Sequence, residues 1–191
     1  MQIKVFDDFL TKSYHEQILD MMSGDNFPWY YYDNISVEGS NNLNEYGFSH
    51  MFWEKETGQR NSTQSWFLKS ALLQIMDVAG CNTIIRSRGD MTTHTGKKFT
   101  HHPHIDYNFP HTASIYYVND SDGDTIFYNQ RASNINQIKN YDLQEYKRVT
   151  PKANRLIIFE GHIVHTGSSP INFKNRILIN SNFLTIEKDV L

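Results

Sequence analysis

From Asn82 onwards the chain breaks into short runs of β-branched and aromatic residues separated by Gly, Asn, Asp and Pro. This rhythm restricts it to a sandwich or barrel of short strands. The pattern predicts strands at Thr83–Ser87, Phe99–His102, Ile105–Tyr107, Ala113–Val118, Thr125–Tyr128, Tyr146–Thr150, Arg155–Glu160, His162–Thr166 and Arg176–Phe183. Two helices precede them. The first opens on a capping box, Ser13-Tyr-His-Glu16, shows one apolar face through Tyr14, Ile18 and Leu19 or Met22, and closes at Gly24 and Pro28. The second runs over Ser62–Ala79, with Trp66, Leu73 and Met76 among its apolar positions and Gly80 as its stop. Residues 25–60 read as loops and short strands, some lining a pocket mouth. The expected class is therefore mainly β with supporting N-terminal helices.

At 191 residues the chain is long enough for one domain and short for two. We read residues 1–191 as a single unit, with helical and loop support over 1–80 and a β core over 81–186. An aromatic share of 14% suits β structure and a filled interior. A net charge of −3 gives no reason to expect a nucleic acid or an anionic membrane as partner. The single cysteine, Cys81, has no internal disulfide partner. No apolar run approaches the roughly 18 residues of a membrane span, and the N-terminus carries no signal-peptide pattern, so the chain reads as soluble and cytoplasmic.

The chemistry concentrates in Thr100-His-His-Pro-His-Ile-Asp-Tyr-Asn108. If His104-Ile105-Asp106 is extended, alternation puts His104 and Asp106 on one face and Ile105 on the other. One imidazole and one carboxylate then reach a single ion, and His165, 61 residues on, can supply a third ligand from a later strand. Two histidines and a carboxylate on one side of an ion form the facial triad that suits non-haem iron(II) and leaves open positions. His162 is a rival third ligand; it follows Gly161 at a turn and stands 14 residues from Arg176, which favours His165. His102 is separated from His104 by Pro103 and lacks a paired acid. His94, His101 and His111 read as surface or supporting residues.

Arg176 lies 11 residues beyond His165 at the start of the next strand. A buried arginine beside such a site needs an anion, and its planar fork binds a carboxylate with two hydrogen bonds. The distal carboxylate of 2-oxoglutarate meets that need. The plainer reading is a surface residue paired with Glu160 or Glu187.

In order along the chain stand His104-x-Asp106, Ser114-Ile-Tyr-Tyr-Val-Asn119, Asp122-Gly-Asp-Thr125, Asn154-Arg-Leu-Ile-Ile-Phe159, His165 and Arg176. This combination resembles the 2-oxoglutarate/iron(II) dioxygenase superfamily, prolyl-4-hydroxylase-like branch, over residues 80–184, and faintly at Val5-Phe-Asp-Asp-Phe-Leu10. The resemblance implies a double-stranded β-helix, the jelly-roll or cupin-like barrel, with iron(II) held by His104, Asp106 and His165. It implies 2-oxoglutarate and dioxygen as co-substrates, with ascorbate as an accessory reductant. The reaction it implies is hydroxylation of an unactivated C–H bond, with release of succinate and carbon dioxide. It also implies Tyr117 as a holder of the 2-oxoglutarate carboxylate, and alternation leaves Tyr116 to packing. Asn180, four residues after Arg176, shares its side of the strand and is a further co-substrate candidate.

Two departures bear on the substrate. Gly123-Asp-Thr-Ile126 stands where the family commonly has Gly-Gly-x-Leu. Gly89–His101, with Thr92, Thr93, His94, Lys97 and Lys98, reads as a polar lid, and Arg86 and Arg88 before it as surface ion-pair residues or binders of a substrate anion. A peptide side chain and a small molecule both remain open as substrates. Two alternatives stand beside this reading: a cupin-like metalloenzyme that does not use 2-oxoglutarate, and a silent barrel binding a protein or sugar through Trp29-Tyr-Tyr-Tyr32 and Phe52-Trp53.

Overall fold

The computed structural model describes residues 2–36, 42–55 and 62–185. Its elements are β1 (Lys4–Phe6), α1 (Lys12–Ser23), β2 (Tyr30–Tyr32), β3 (Gly47–Glu54), α2 (Ser65–Ala79), β4 (Thr83–Thr93), β5 (Thr112–Tyr117), β6 (Thr125–Arg131), a 3₁₀ turn (Ile135–Asn140), β7 (Glu145–Val149), β8 (Arg155–Glu160), β9 (Ile163–Gly167) and β10 (Asn175–Leu184). A seven-stranded sheet runs β1-β8-β5-β10-β4-β3-β2 and a three-stranded sheet β7-β6-β9, with every pairing antiparallel. Isolated bridges from Thr100 to Ser168 and from His104 to His165 lay residues 100–104 along β9 as an irregular fourth strand. Two opposed sheets joined in this order make the jelly-roll barrel.

Alternation explains why the large sheet is buried on both faces. Tyr116, Leu156, Ile158, Ile177, Ile179 and Phe183 pack with α1 and α2 in one cluster. Their neighbours Ala113, Ile115, Tyr117, Ile157, Phe159 and Leu178 fill the barrel with Phe127 and Ile163. In α2, Leu68, Leu72 and Ile75 are buried on the sheet, and each such side chain contributes about 1.5–3 kcal/mol. Trp66 and Leu73, expected on the apolar face, instead point outward at 59% and 47% exposure, because Leu68, Ala71, Leu72 and Ile75 take the stripe that meets the sheet. The expected capping box also fails: α1 begins at Lys12, so Ser13 lies inside it and Thr11 takes the N-cap place without a side-chain bond. Gly80 closes α2 with φ +69°, the left-handed conformation that glycine adopts freely.

Asn154 ties the N-terminal arm to the barrel. It adopts φ +62°, a conformation asparagine tolerates. Its Oδ1 accepts from Leu10 N (2.9 Å) and the Tyr116 hydroxyl (3.0 Å), and its Nδ2 donates to Leu10 O (2.8 Å).

Two expectations near the site are corrected. Phe99–His102 and Ile105–Tyr107 are not regular strands. Thr100 opposes Ser168 while His104 opposes His165, so four steps on one side face three on the other, a bulge at the point where Pro103 lacks an N–H. Gly89–Thr93 is not a lid but the second half of β4, whose polar residues face a polar pocket while Met91 packs toward the helices. Residues 25–60 hold, as expected, loops and the strands β2 and β3, with Ile35 and Ser36 lining the pocket, while 37–41 and 56–61 lie outside the described residues. No helix among the described residues is long and apolar enough to cross a membrane.

Candidate metal centre and adjoining pocket

His104, Asp106 and His165 come together with their ligand atoms within 4.8 Å of one another. His104 is carried by the bulged segment and held by two backbone bonds, His104 N to His165 O (2.9 Å) and His165 N to His104 O (3.0 Å). Each ring also fixes its own tautomer. His104 Nδ1 lies 3.0 Å from the His102 carbonyl and His165 Nδ1 lies 2.9 Å from the Ile163 carbonyl. A carbonyl only accepts, so both Nδ1 atoms carry the proton and both Nε2 atoms present lone pairs. His165 Nε2 is buried and has no hydrogen-bond partner. Burial, and then the neighbouring His104, push the His165 pKa down to about 4, so it is neutral and able to ligate at pH 7.

Asp106 is the charged member. Burial opposes its ionisation, but Arg86, the two histidines and Asn182 outweigh that and hold its pKa far below the ordinary carboxylate range. Arg86 Nη2 lies 3.2 Å from Oδ1 and Asn182 Nδ2 donates to Oδ2 at 2.7 Å. An orphaned buried imidazole nitrogen beside a second free one and a fixed carboxylate fits a divalent iron ion. His162 is not drawn into this group.

Arg176 is 6% exposed and lies within ion-pair distance of no carboxylate among the described residues. Glu160, its expected surface partner, pairs with Arg131 instead, and Glu187 lies outside the described residues. Arg176 Nη2 and the Tyr117 hydroxyl each donate to Thr125 Oγ1 at 2.6 Å. Burial pushes the Tyr117 pKa up, which keeps the phenol protonated as a donor, and the Arg176 guanidinium sits 5.6 Å over its ring. Thr125 accepts twice, so its own proton is free to donate. The arginine fork packs so closely on Gly167 that a Cβ there would stand 3.2 Å from Nη1. Gly167 and His165 are two residues apart on β9, about 7 Å along one face, which brings the guanidinium near the triad.

Members of both groups, His104 and His165 with Thr125 and Arg176, line one open pocket. Register orders its β4–β10 wall: Arg176 opposite Thr92, Leu178 opposite Asp90, Asn180 opposite Arg88, and Asn182 opposite Arg86. Asn180 thus lines the pocket across from Arg88, two rungs from Arg176. Arg86 and Arg88 are not surface residues; they face the interior, bonded to Asp106 and Asp90.

Glu45 fixes His101 and His102, in the segment that leads to His104. Glu45 is fully buried, with its carboxylate 3.5 Å from His101 Nδ1 and 3.0 Å from His102 Nδ1, and it accepts from His102 N at 3.2 Å. Burial opposes its charge, yet these contacts prevail and bring its pKa down to about 2. A carboxylate held below its unfolded value stabilises the fold above the unfolded pKa and loses that contribution as pH falls through the folded one. In urea titrations, Glu45→Gln is expected to cost about 3 kcal/mol at pH 6, the deficit shrinking toward zero between pH 4.5 and 2. A deficit constant over that window would contradict the assignment. Sequence reasoning missed Glu45, Thr125 and Asn182; only Asn182, two residues beyond Asn180 on the same face, left a signal in the alternation.

No protein-family model and no curated protein sequence matches the chain. Solved structures do. An oxidoreductase of the 2OG-Fe(II) oxygenase family from Burkholderia pseudomallei superposes with a TM-score of 0.67 at 10% identity, over 95% of this chain and 84% of that one. A prolyl-4-hydroxylase from Pseudomonas putida matches at 0.58 and 13% identity, over 97% and 93%. SnoN, a non-haem α-ketoglutarate-dependent epimerase of nogalamycin biosynthesis, matches at 0.62 and 9% identity, over 96% and 77%. The chain therefore has the jelly-roll fold of the 2-oxoglutarate/iron(II) oxygenases, prolyl hydroxylases among them.

Proposed function

We propose that this chain is an iron(II)- and 2-oxoglutarate-dependent oxygenase that hydroxylates an unactivated C–H bond, with release of succinate and carbon dioxide. The observation that carries the reading is Arg176. It is a buried cation with no carboxylate in ion-pair distance among the described residues, in the same pocket as His104 and His165 of the convergent candidate triad. A buried charge costs several kcal/mol unless it is paired, so the pocket requires an anion. The guanidinium packs on Gly167, two residues or about 7 Å from His165 along β9, a span that a five-carbon dicarboxylate can bridge. A cupin-like enzyme without 2-oxoglutarate, or a silent barrel, gives this arginine nothing to do.

His104, Asp106 and His165 would hold the iron, which supplies the activation of dioxygen and of the co-substrate's keto acid end. Arg176 binds the distal carboxylate through its fork, and Tyr117 and the free Thr125 proton add donors beside it. Arg86 and Asn182 orient Asp106, and the two backbone carbonyls keep both imidazole Nε2 atoms aimed at the ion. The barrel residues Ile115 and Leu178 exclude water from the co-substrate's methylene chain. The reaction is proposed as hydroxylation because that is the simplest outcome; the fold also serves an epimerase. Ascorbate would act only to keep the iron reduced.

Incubation with iron(II), 2-oxoglutarate and oxygen should release succinate at a slow rate even without substrate, and chelation with EDTA should stop it. Absence of succinate from protein shown to contain iron would contradict the proposal.

A further inference from the structure

The pocket has a second charged position that co-substrate binding does not use. Arg88 and Asp90 stand two residues apart on the inner face of β4, with Nε 2.7 Å from Oδ1 and Nη2 3.0 Å from Oδ2. Both line the pocket that holds His104 and His165. Their side chains keep 19% and 11% exposure, so they border open space instead of being sealed in the wall. Opposite Arg88 in register stands Asn180, 7% exposed, whose Oδ1 has no hydrogen-bond partner and which lines the same pocket. One rung further, Arg86 and Asn182 hold the metal-ligating Asp106. Arg88 therefore stands one rung from the residues that hold Asp106 and two from Arg176, with Asp90 on the rung between Arg88 and the Arg176 anchor.

We propose that Arg88 and Asp90 form the recognition site for the substrate, and that the substrate is a free α-amino acid. This rests on the oxygenase reading above. Charge balance selects the class. A simple anion taken by Arg88 would meet the Asp90 carboxylate at the same place. A simple amine taken by Asp90 would meet Arg88 and Arg86. A zwitterion answers both: its carboxylate takes the planar fork of Arg88, and its ammonium takes Asp90 with Asn180 Oδ1 as a further acceptor. The two protein charges then exchange one partner for another, and neither is left bare in the pocket. The pair is largely buried, so only a ligand that replaces each charge with one of the same sign can separate it. The amino acid's side chain is the part left to project toward the metal.

The test uses the full chain loaded with manganese(II), which does not support turnover, and 2-oxoglutarate. The twenty common L-amino acids are screened by calorimetry, and the best binder is compared with its amide and its N-acetyl derivative. At least one amino acid should bind, and loss of either charged end should weaken binding by about tenfold or more. Asp90→Asn and the charge-preserving Arg88→Lys should each weaken amino-acid binding by a similar factor, with 2-oxoglutarate affinity within about twofold of the parent. With iron(II), the same amino acid should raise succinate release and appear as an oxidised product. If manganese and 2-oxoglutarate bind but no amino acid does, the substrate proposal is overturned and the oxygenase reading stands. Equal binding of the amide or the N-acetyl derivative overturns it too, as does loss of 2-oxoglutarate binding in Arg88→Lys, which would make Arg88 a co-substrate residue. If neither manganese nor 2-oxoglutarate binds, the oxygenase reading itself fails.

Discussion

Replacing His165 by alanine is expected to weaken metal binding by more than about 100-fold, since losing even an outer partner of a metal ligand typically costs 10–100-fold. His165 is the most deeply buried of the three residues, and its Nε2 has no hydrogen-bond partner. The loss should appear in direct titration with manganese(II) or iron(II), and succinate release should fall to background. The ring also packs at 4.8 Å from Phe159 and 6.1 Å from Phe127, so alanine leaves a cavity. His165→Gln fills more of that space and should be as defective in metal binding while unfolding closer to the parent. His104→Ala, at a more accessible position, should lose metal with a smaller stability cost. Stoichiometric metal in either His165 variant would place the site elsewhere.

Arg176→Met should separate the two halves of the pocket. A carboxylate deprived of a buried charge-assisted partner loses 2–5 kcal/mol, so the 2-oxoglutarate requirement should rise by about 100-fold or more. Metal affinity should stay within about twofold, because no triad residue touches the arginine. Stability should move the other way. In the ligand-free protein Arg176 is a buried cation that donates to Thr125 and feels Asp90 and Asp124 only from beyond ion-pair distance. A methionine of similar reach should therefore leave the free protein as stable or more stable by about 1 kcal/mol. An arginine kept for structure would show the opposite sign: a less stable protein with unchanged 2-oxoglutarate affinity.

The strands β5, β8 and β10 are legible in the sequence because each alternates between two apolar environments, and β-branched or aromatic residues fill both. The candidate triad His104, Asp106 and His165 is legible because a His-x-Asp tripeptide and a later histidine at strand spacing stand out in the sequence, and the fold brings the three within 4.8 Å even though residues 105–107 form no regular strand. What supports them is less so. Glu45 acts across 57 residues through a loop with no periodic signal. Thr125 reads as a departure from a glycine-rich pattern, and only the folded barrel shows it accepting from both Tyr117 and Arg176. The stretch Gly89–Thr93 misleads because a strand lining a polar pocket looks like a surface loop when hydrophobicity is the guide. Trp66 and Leu73 mislead for the converse reason: large apolar residues on α2 lie outside the stripe that meets the sheet.

The most direct test of the account is anaerobic titration of 2-oxoglutarate into the protein with and without iron(II), followed by calorimetry. One molecule should bind per chain, tightly with iron and far more weakly without it, because the anchor at Arg176 and the ion held by His104, Asp106 and His165 grip opposite ends of one ligand. Binding that is indifferent to the metal, or no binding at all, would contradict it.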